Sequence, residues 1–95
     1  MTVLRLDSFT IDPAHTGELV TRHSALAAVA KDAFPGLIDV QLAKIDDQTW
    51  IDVWRWDSFA SSQAAAAQGP AIPEAGAAFA LPKSLAVEYA EVLDA

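Results

Sequence analysis

The order of apolar and polar positions divides the chain into short strands and two helical stretches. Residues 3 to 11, "VLRLDSFTI", gather aliphatic, β-branched and aromatic side chains in a short run, which predicts a strand. Asp12-Pro13 follows. The aspartate can accept the free amide protons of a helix start, and proline suits the first helical position. From there to about Ala33 the pattern predicts a helix, with Leu19, Leu26, Ala30, Ala33 and Phe34 on one stripe. Phe34-Pro35-Gly36 ends it, because proline disfavours helical geometry in the residue before it. Leu37 to Ile45 predicts a second strand, with Ile38, Val40 and Leu42 on one side and Asp39 and Gln41 on the other. The polar turn Asp46-Asp47-Gln48 joins it to a strand from Thr49 to Trp56, as an antiparallel hairpin. Asp57-Ser58 caps a second helix, "FASSQAAAAQ", which halts at Gly69-Pro70. Pro73 opens a short helical piece, "PEAGAAF", Leu81-Pro82 breaks it, and a last strand runs from Ser84 to Leu93.

This order is βαββαβ, the α+β ferredoxin-like arrangement of a four-stranded antiparallel sheet with helices on one face. At 95 residues the chain is expected to be a single domain over 1–95. A monomer of that size buries only about 60 to 65% of its unfolded surface. With 53% of residues hydrophobic, stacking the bare sheet faces of two chains would cover what one chain leaves open. A homodimer through those faces is therefore expected.

Charge removes several classes of partner. Lys+Arg 6 against Asp+Glu 13 gives a formal net charge of −7, which repels nucleic-acid backbones and anionic membranes alike. The absence of cysteine removes disulfides, thiolate catalysis and Cys-ligated metal sites, and fits a cytoplasmic location. Arg5 and Asp7 interrupt the N-terminal apolar run, so it does not read as a signal peptide. The uncharged stretch Ser58 to Ile72 is alanine, serine and glutamine broken at Gly69-Pro70, and does not read as a membrane span. Two histidines eight residues apart make a poor metal site, and the alanine run at 64 to 67 suits close helix approach.

The candidate chemistry centres on "WIDVWRWDS", residues 50 to 58, which holds all three tryptophans. Strand alternation puts Trp50, Asp52, Trp54 and Trp56 on one face and Ile51, Val53 and Arg55 on the other. Three indoles around a carboxylate suit a pocket wall, with stacking surfaces for a flat ligand and one polar group to orient it. They equally suit a core in which Asp52 pairs with a neighbour such as Arg5. His23 falls about 40° from Leu19 on the helical wheel, inside the apolar stripe. An imidazole there can accept a proton, or can be a core histidine with one buried partner. Arg5 and Asp7 share a strand face with Val3, Phe9 and Ile11, and Asp7 would approach His23 if that face met the helices. Tyr89 shares a face of the last strand with Leu85, Val87 and Glu91, and could line the same pocket.

The βαββαβ order, "FTIDP" at the end of the first strand and "W-D-S" leading into a helix together resemble the antibiotic biosynthesis monooxygenase-like family of dimeric α+β barrels. The resemblance implies a homodimer whose sheets form a shared barrel, with a pocket between sheet and helices in each subunit. Family members include cofactor-free oxygenases of polycyclic phenols, quinol monooxygenases and haem-degrading enzymes. Trp56 matches the tryptophan of the family's W-x-S pattern and Ser58 its serine. Where the haem-degrading branch has an asparagine on the first strand, this chain has Asp7, and no histidine stands between Gln63 and Gln68 to be an axial ligand. Where the polyketide-oxidising branch has an asparagine on the tryptophan strand, Asp52 keeps an acceptor and loses a donor. The resemblance thus implies a cofactor-independent monooxygenase acting on a small aromatic or polyketide-like phenol or quinol, without metal or cofactor. Asp52, His23 and Trp56 would be catalytic, and Trp54, Asp7 and Tyr89 would bind the substrate. A polyketide cyclase or isomerase, or a non-catalytic binding protein for a small aromatic ligand, would use the same scaffold.

Overall fold

In the computed structural model, which describes residues 1–93, the elements follow the predicted order. Strand β1 (Val3–Thr10) leads through a 3₁₀ turn (Pro13–His15) into helix α1 (Thr16–Ala33). Strands β2 (Leu37–Lys44) and β3 (Thr49–Trp56) form the hairpin. Helix α2 (Phe59–Gln68), a 3₁₀ turn (Gly69–Ala71) and helix α3 (Pro73–Phe79) make the second crossover, and β4 (Lys83–Glu91) closes the sheet. The strand order is β2-β3-β1-β4, antiparallel throughout. This is the ferredoxin-like α+β fold.

Local chemistry fixes most boundaries. Asp12 Oδ1 accepts the Ala14 amide at 2.9 Å, and with Pro13 it sets a 3₁₀ turn ahead of α1, so the regular helix begins three residues later than the sequence pattern suggests. Ser58 Oγ accepts the Ser61 amide at 3.1 Å and starts α2. Asp46 Oδ1 accepts the Gln48 and Thr49 amides at 2.9 and 2.7 Å, tying the β2–β3 turn. Gly36 leaves room where the chain enters β2: a Cβ there would lie 2.6 Å from Ser61 Oγ and 2.7 Å from Asp57 Oδ1.

The expected alternation on β2 fails at Ile38. Leu37 pairs with Trp56 while Asp39 pairs with Arg55, so one extra residue is inserted between them as a β-bulge. Val40 and Leu42 pair with Trp54 and Asp52 on the helix side, whereas Ile38 is exposed. Ala33, placed on the apolar stripe by its spacing, is also exposed.

The helices cover the face that carries Trp50, Asp52, Trp54 and Trp56, all buried. One core cluster joins Leu26 and Ala30 of α1 to Leu37, Trp54 and Trp56 of the sheet and to Ala65 and Ala78 of the second crossover. A smaller one joins Phe9, Ile11, Leu19 and Trp50. Strand β4 is exposed along nearly its whole length, with Leu85, Val87 and Tyr89 all open to solvent. No helix among the described residues is long and apolar enough to cross a membrane.

Candidate functional site

Between the sheet and the helices lies a cavity of about 320 Å³. Its floor is β1 and β3, through Arg5, Asp7, Trp54 and Trp56, and one side is α1, through Leu26 and Ala30. The second crossover supplies most of the rest, including Ser62, Ala65 and Ala66 of α2 and Phe79 of α3. Trp54 and Trp56, two residues apart on one strand, lie with ring centroids 6.3 Å apart and planes at 11°, which makes a flat aromatic wall. Phe34 closes against Trp56 at 6.1 Å.

Among the described residues, Arg5 and Asp7 are the charged side chains of this wall. Arg5 Nε donates to Asp7 Oδ1 at 3.0 Å, with Asp7 fully buried and the Arg5 side chain 23% exposed. Burial pushes the Asp7 carboxyl up from its ordinary 3.8; the Arg5 charge and hydrogen bond pull it down, the Asp52 charge raises it further and His23 lowers it. Asp7 Oδ2, Trp56 Nε1 and Ser62 Oγ are buried polar atoms without a partner among the described residues, and all three belong to residues of the cavity wall. An unpaired buried polar group costs about 1–3 kcal/mol.

Asp52 and His23 meet each other, the arrangement of a core histidine with one buried partner. His23 Nε2 lies 2.7 Å from Asp52 Oδ1, and Trp54 Nε1 donates to Asp52 Oδ2 at 2.6 Å. Both acids and the imidazole face the helix side, as alternation and helical spacing require, yet Asp52 and His23 do not line the main cavity. They line a separate crevice of about 10 Å³ with Phe9, Leu19, Phe79 and Pro82. Trp54 is the link: its nitrogen turns to Asp52 while its ring walls the cavity. Asp52 pairs with His23 and not with Arg5.

Of the six residues singled out by sequence, Trp54, Trp56 and Asp7 line the cavity and Asp52 and His23 stand behind it. Tyr89 is outside it: the tyrosine is opposite Arg5 on the β1–β4 ladder, 38% exposed, with Phe59 edge-on at 5.1 Å. Sequence reasoning left out Ser62, Ala65 and Ala66 as wall residues. Their signal was the small size of every side chain from 60 to 67 except Gln63, on a helix that meets the tryptophan strand.

No protein-family model and no curated protein matches the chain. Solved structures do match. SnoaB from Streptomyces nogalater, a cofactor-independent oxygenase, superposes with a TM-score of 0.73 at 21% identity, covering 99% of this chain and 95% of its own. A candidate antibiotic biosynthesis monooxygenase from Caulobacter crescentus gives 0.77 at 19% identity, over 98% and 91% of the two chains. The haem degrader MhuD from Mycobacterium tuberculosis, with two haems bound in its active site, gives 0.73 at 24% identity, over 98% and 97%. The chain has the antibiotic biosynthesis monooxygenase fold. That fold carries oxygenase chemistry in SnoaB and haem in MhuD. Among the described residues no imidazole lines the cavity wall: His23 is held by Asp52, and His15 is exposed beside Glu18. Among the described residues no group of three or more His, Asp or Glu could hold a metal ion.

Proposed function

We propose that the chain is a cofactor-independent monooxygenase that oxidises a small aromatic or polyketide-like phenol or quinol in the cavity between sheet and helices. One observation carries this reading: two parallel indoles and an otherwise apolar wall enclose about 320 Å³ against a single ion pair. Trp54 and Trp56 hold the ring system by stacking, and a dry wall favours a delocalised anion over a localised one. The base first sought in Asp52 or His23 is assigned to Asp7, whose Oδ2 has no partner among the described residues and belongs to the wall. Because Asp7 presents no surface to solvent, contact requires the wall to yield as the ring enters.

An anthrone would consume one dioxygen and release one water. Asp7 removes a proton to give the delocalised anion, the anion passes one electron to dioxygen, and the substrate radical and superoxide combine at the ring carbon as a peroxide. Cleavage of the O–O bond with loss of the second C–H proton leaves a carbonyl and releases water, so one oxygen atom enters the product and the other leaves as water. Incubation of the purified protein with an anthrone and ¹⁸O₂ tests the reading: one labelled oxygen in the quinone, lost in Trp56→Ala and Asp7→Asn, supports it. No product above the uncatalysed rate overturns it.

The Arg5–Asp7 pair favours one other reading, acid–base cyclisation or isomerisation without oxygen, since a carboxyl that takes a proton at one atom and returns it at another, beside a fixed cation, is all that such chemistry needs. Turnover that persists under strict anaerobiosis identifies it. The homodimer belongs to the same proposal. Leu6 pairs with Val53 on the face opposite the helices, Leu4 and Ile51 share that face, and all four are half-buried with no covering element among the described residues, which supports a partner sheet there.

A further inference from the structure

Among the described residues of the cavity wall, Arg5 is the charged one with surface to spare, its side chain 23% exposed. Its guanidinium carries five N–H donors in a rigid fork. Only Nε is engaged, on Asp7 Oδ1 at 3.0 Å; the four donors on Nη1 and Nη2 have no acceptor among the described residues. Its ladder neighbours narrow the direction of use, since Trp54 stands opposite on β3 and Tyr89 opposite on β4, all three on the helix side of the sheet. Asp7 fixes one edge of the fork from below, two residues along the same strand. The free Nη groups and the buried Asp7 Oδ2 thus belong to neighbouring residues of the cavity floor, and a ring that makes the wall yield reaches both.

A hydroxyl placed there meets an acceptor for its proton and a cation for its oxygen at the same time. We infer that Arg5 is an oxyanion-binding residue of this site, holding the substrate as its phenolate while Asp7 takes the proton, and that the cavity selects aromatic ligands by the acidity of that hydroxyl. The inference rests on reading the cavity as a site for a phenol. No net charge is created in the exchange: the negative charge passes from Asp7 to the ligand oxygen, the O–H bond breaks, and a carboxyl O–H forms. Arg5 stays paired throughout, first with the carboxylate and then with the phenolate. Charge-assisted hydrogen bonds from arginine are among the strong ones, and burial of Asp7 and the neighbouring Asp52 charge both favour moving the charge outward.

The test uses 4-nitro-1-naphthol, a planar phenol whose ionised form is coloured, with binding read by quenching of tryptophan fluorescence and ionisation by the phenolate band. In the wild-type protein the bound dye should ionise at lower pH than the free dye. Asp7→Asn leaves the cation without its resident anion and should tighten phenolate binding severalfold. Arg5→Gln leaves a buried carboxylate unpaired and can unfold the chain, so the double variant R5Q/D7N, neutral at both positions, is the working comparison. It should bind the phenolate about tenfold or more weakly than Asp7→Asn while still binding the neutral dye. Three results overturn the inference: equal phenolate affinity in the double variant and in Asp7→Asn, weaker phenolate binding in Asp7→Asn than in wild type, or no binding of the dye to wild type. The nitro dye consumes no oxygen, so this outcome is separate from the anthrone assay. Phenolate selection without anthrone oxidation leaves the subsite standing and removes the oxygenase reading; oxidation without phenolate selection does the reverse.

Discussion

Asp7 and Asp52 stand directly opposite each other on neighbouring antiparallel strands and face the same side of the sheet. Two like charges in that position are unfavourable. Each carboxylate is met by a separate partner, Asp7 by Arg5 at 3.0 Å and Asp52 by His23 at 2.7 Å, so the pair is a four-residue polar island inside an apolar face. The two halves have different duties: the Arg5–Asp7 half opens on the cavity, and the His23–Asp52 half holds Trp54 from behind.

Removing the Asp52 carboxylate should therefore act on stability first. Asp52→Ala deprives His23 and Trp54 Nε1 of their acceptor in a buried place, and about 2–4 kcal/mol of unfolding free energy should be lost. Asp52→Asn, which keeps the shape and one acceptor, should lose less. Urea denaturation of the variants measures both, and equal stability of Asp52→Ala and wild type would contradict the buried bridge.

Asp7 gives the stability a pH dependence of known sign. Its folded-state value is raised above the ordinary 3.8, so the folded chain holds the proton more tightly than the unfolded one. The contribution is fully present below the unfolded value and is lost as pH rises through the raised folded value. The stability of wild type relative to Asp7→Asn should accordingly fall on going from acid toward neutral pH and level off above that window. A difference that instead grows with pH would mean that the Arg5 pairing outweighs burial.

Asp46 has the opposite sign. Its carboxyl is held below the ordinary 3.8 by the Gln48 and Thr49 amides, so its support of the hairpin is present above the unfolded value and lost as pH falls through the lowered one. The amide resonances of Gln48 and Thr49 should move with one acidic midpoint, and Asp46→Ala should abolish that midpoint while lowering the melting temperature slightly.

Gly36 should not tolerate a side chain. Alanine there would place Cβ within 2.7 Å of Ser61 Cβ as well as of two side-chain oxygens, and a backbone carbonyl that accepts the Asp57 amide at 2.9 Å sits in the same residue. Overpacking of this kind costs about 1–3 kcal/mol. A Gly36→Ala variant as stable as wild type would show that the β2 entry can shift.

The sheet face opposite the helices gives a prediction about assembly. Val53→Glu puts a charge on that face without touching the cavity. Sedimentation should find the wild type as a dimer and the variant as a monomer; an unchanged dimer would place the partner elsewhere.

The fold was legible because its punctuation is local. Ser58 caps α2, Pro73 opens α3 and Asp46 ties the hairpin, each through atoms a few residues apart. Ile38 was misplaced because a bulge is decided by the partner strand's register, which the alternation of one strand does not contain. The site was legible in direction and not in depth. Strand and helix periods put Asp52 and His23 on the inward face correctly, but whether an inward side chain meets a cavity or a neighbour depends on distances across the fold. Trp54, with its nitrogen on Asp52 and its ring on the cavity, decided that question. Alternation gave Arg5 only a strand face shared with Asp7, and its place in the wall follows from the face the helices cover.

The alanines of α2 have a consequence of their own. Ala65 and Ala66 line the cavity because they stop at one carbon, and the room in front of the tryptophans is what larger residues would have filled. That helix works as a feeler gauge: every methylene added at 65 or 66 thins the slot by its own thickness. Relatives of this chain with bulkier residues there should accept narrower rings on an unchanged indole wall, so the size of the preferred molecule would be written in a stretch that carries no reactive group.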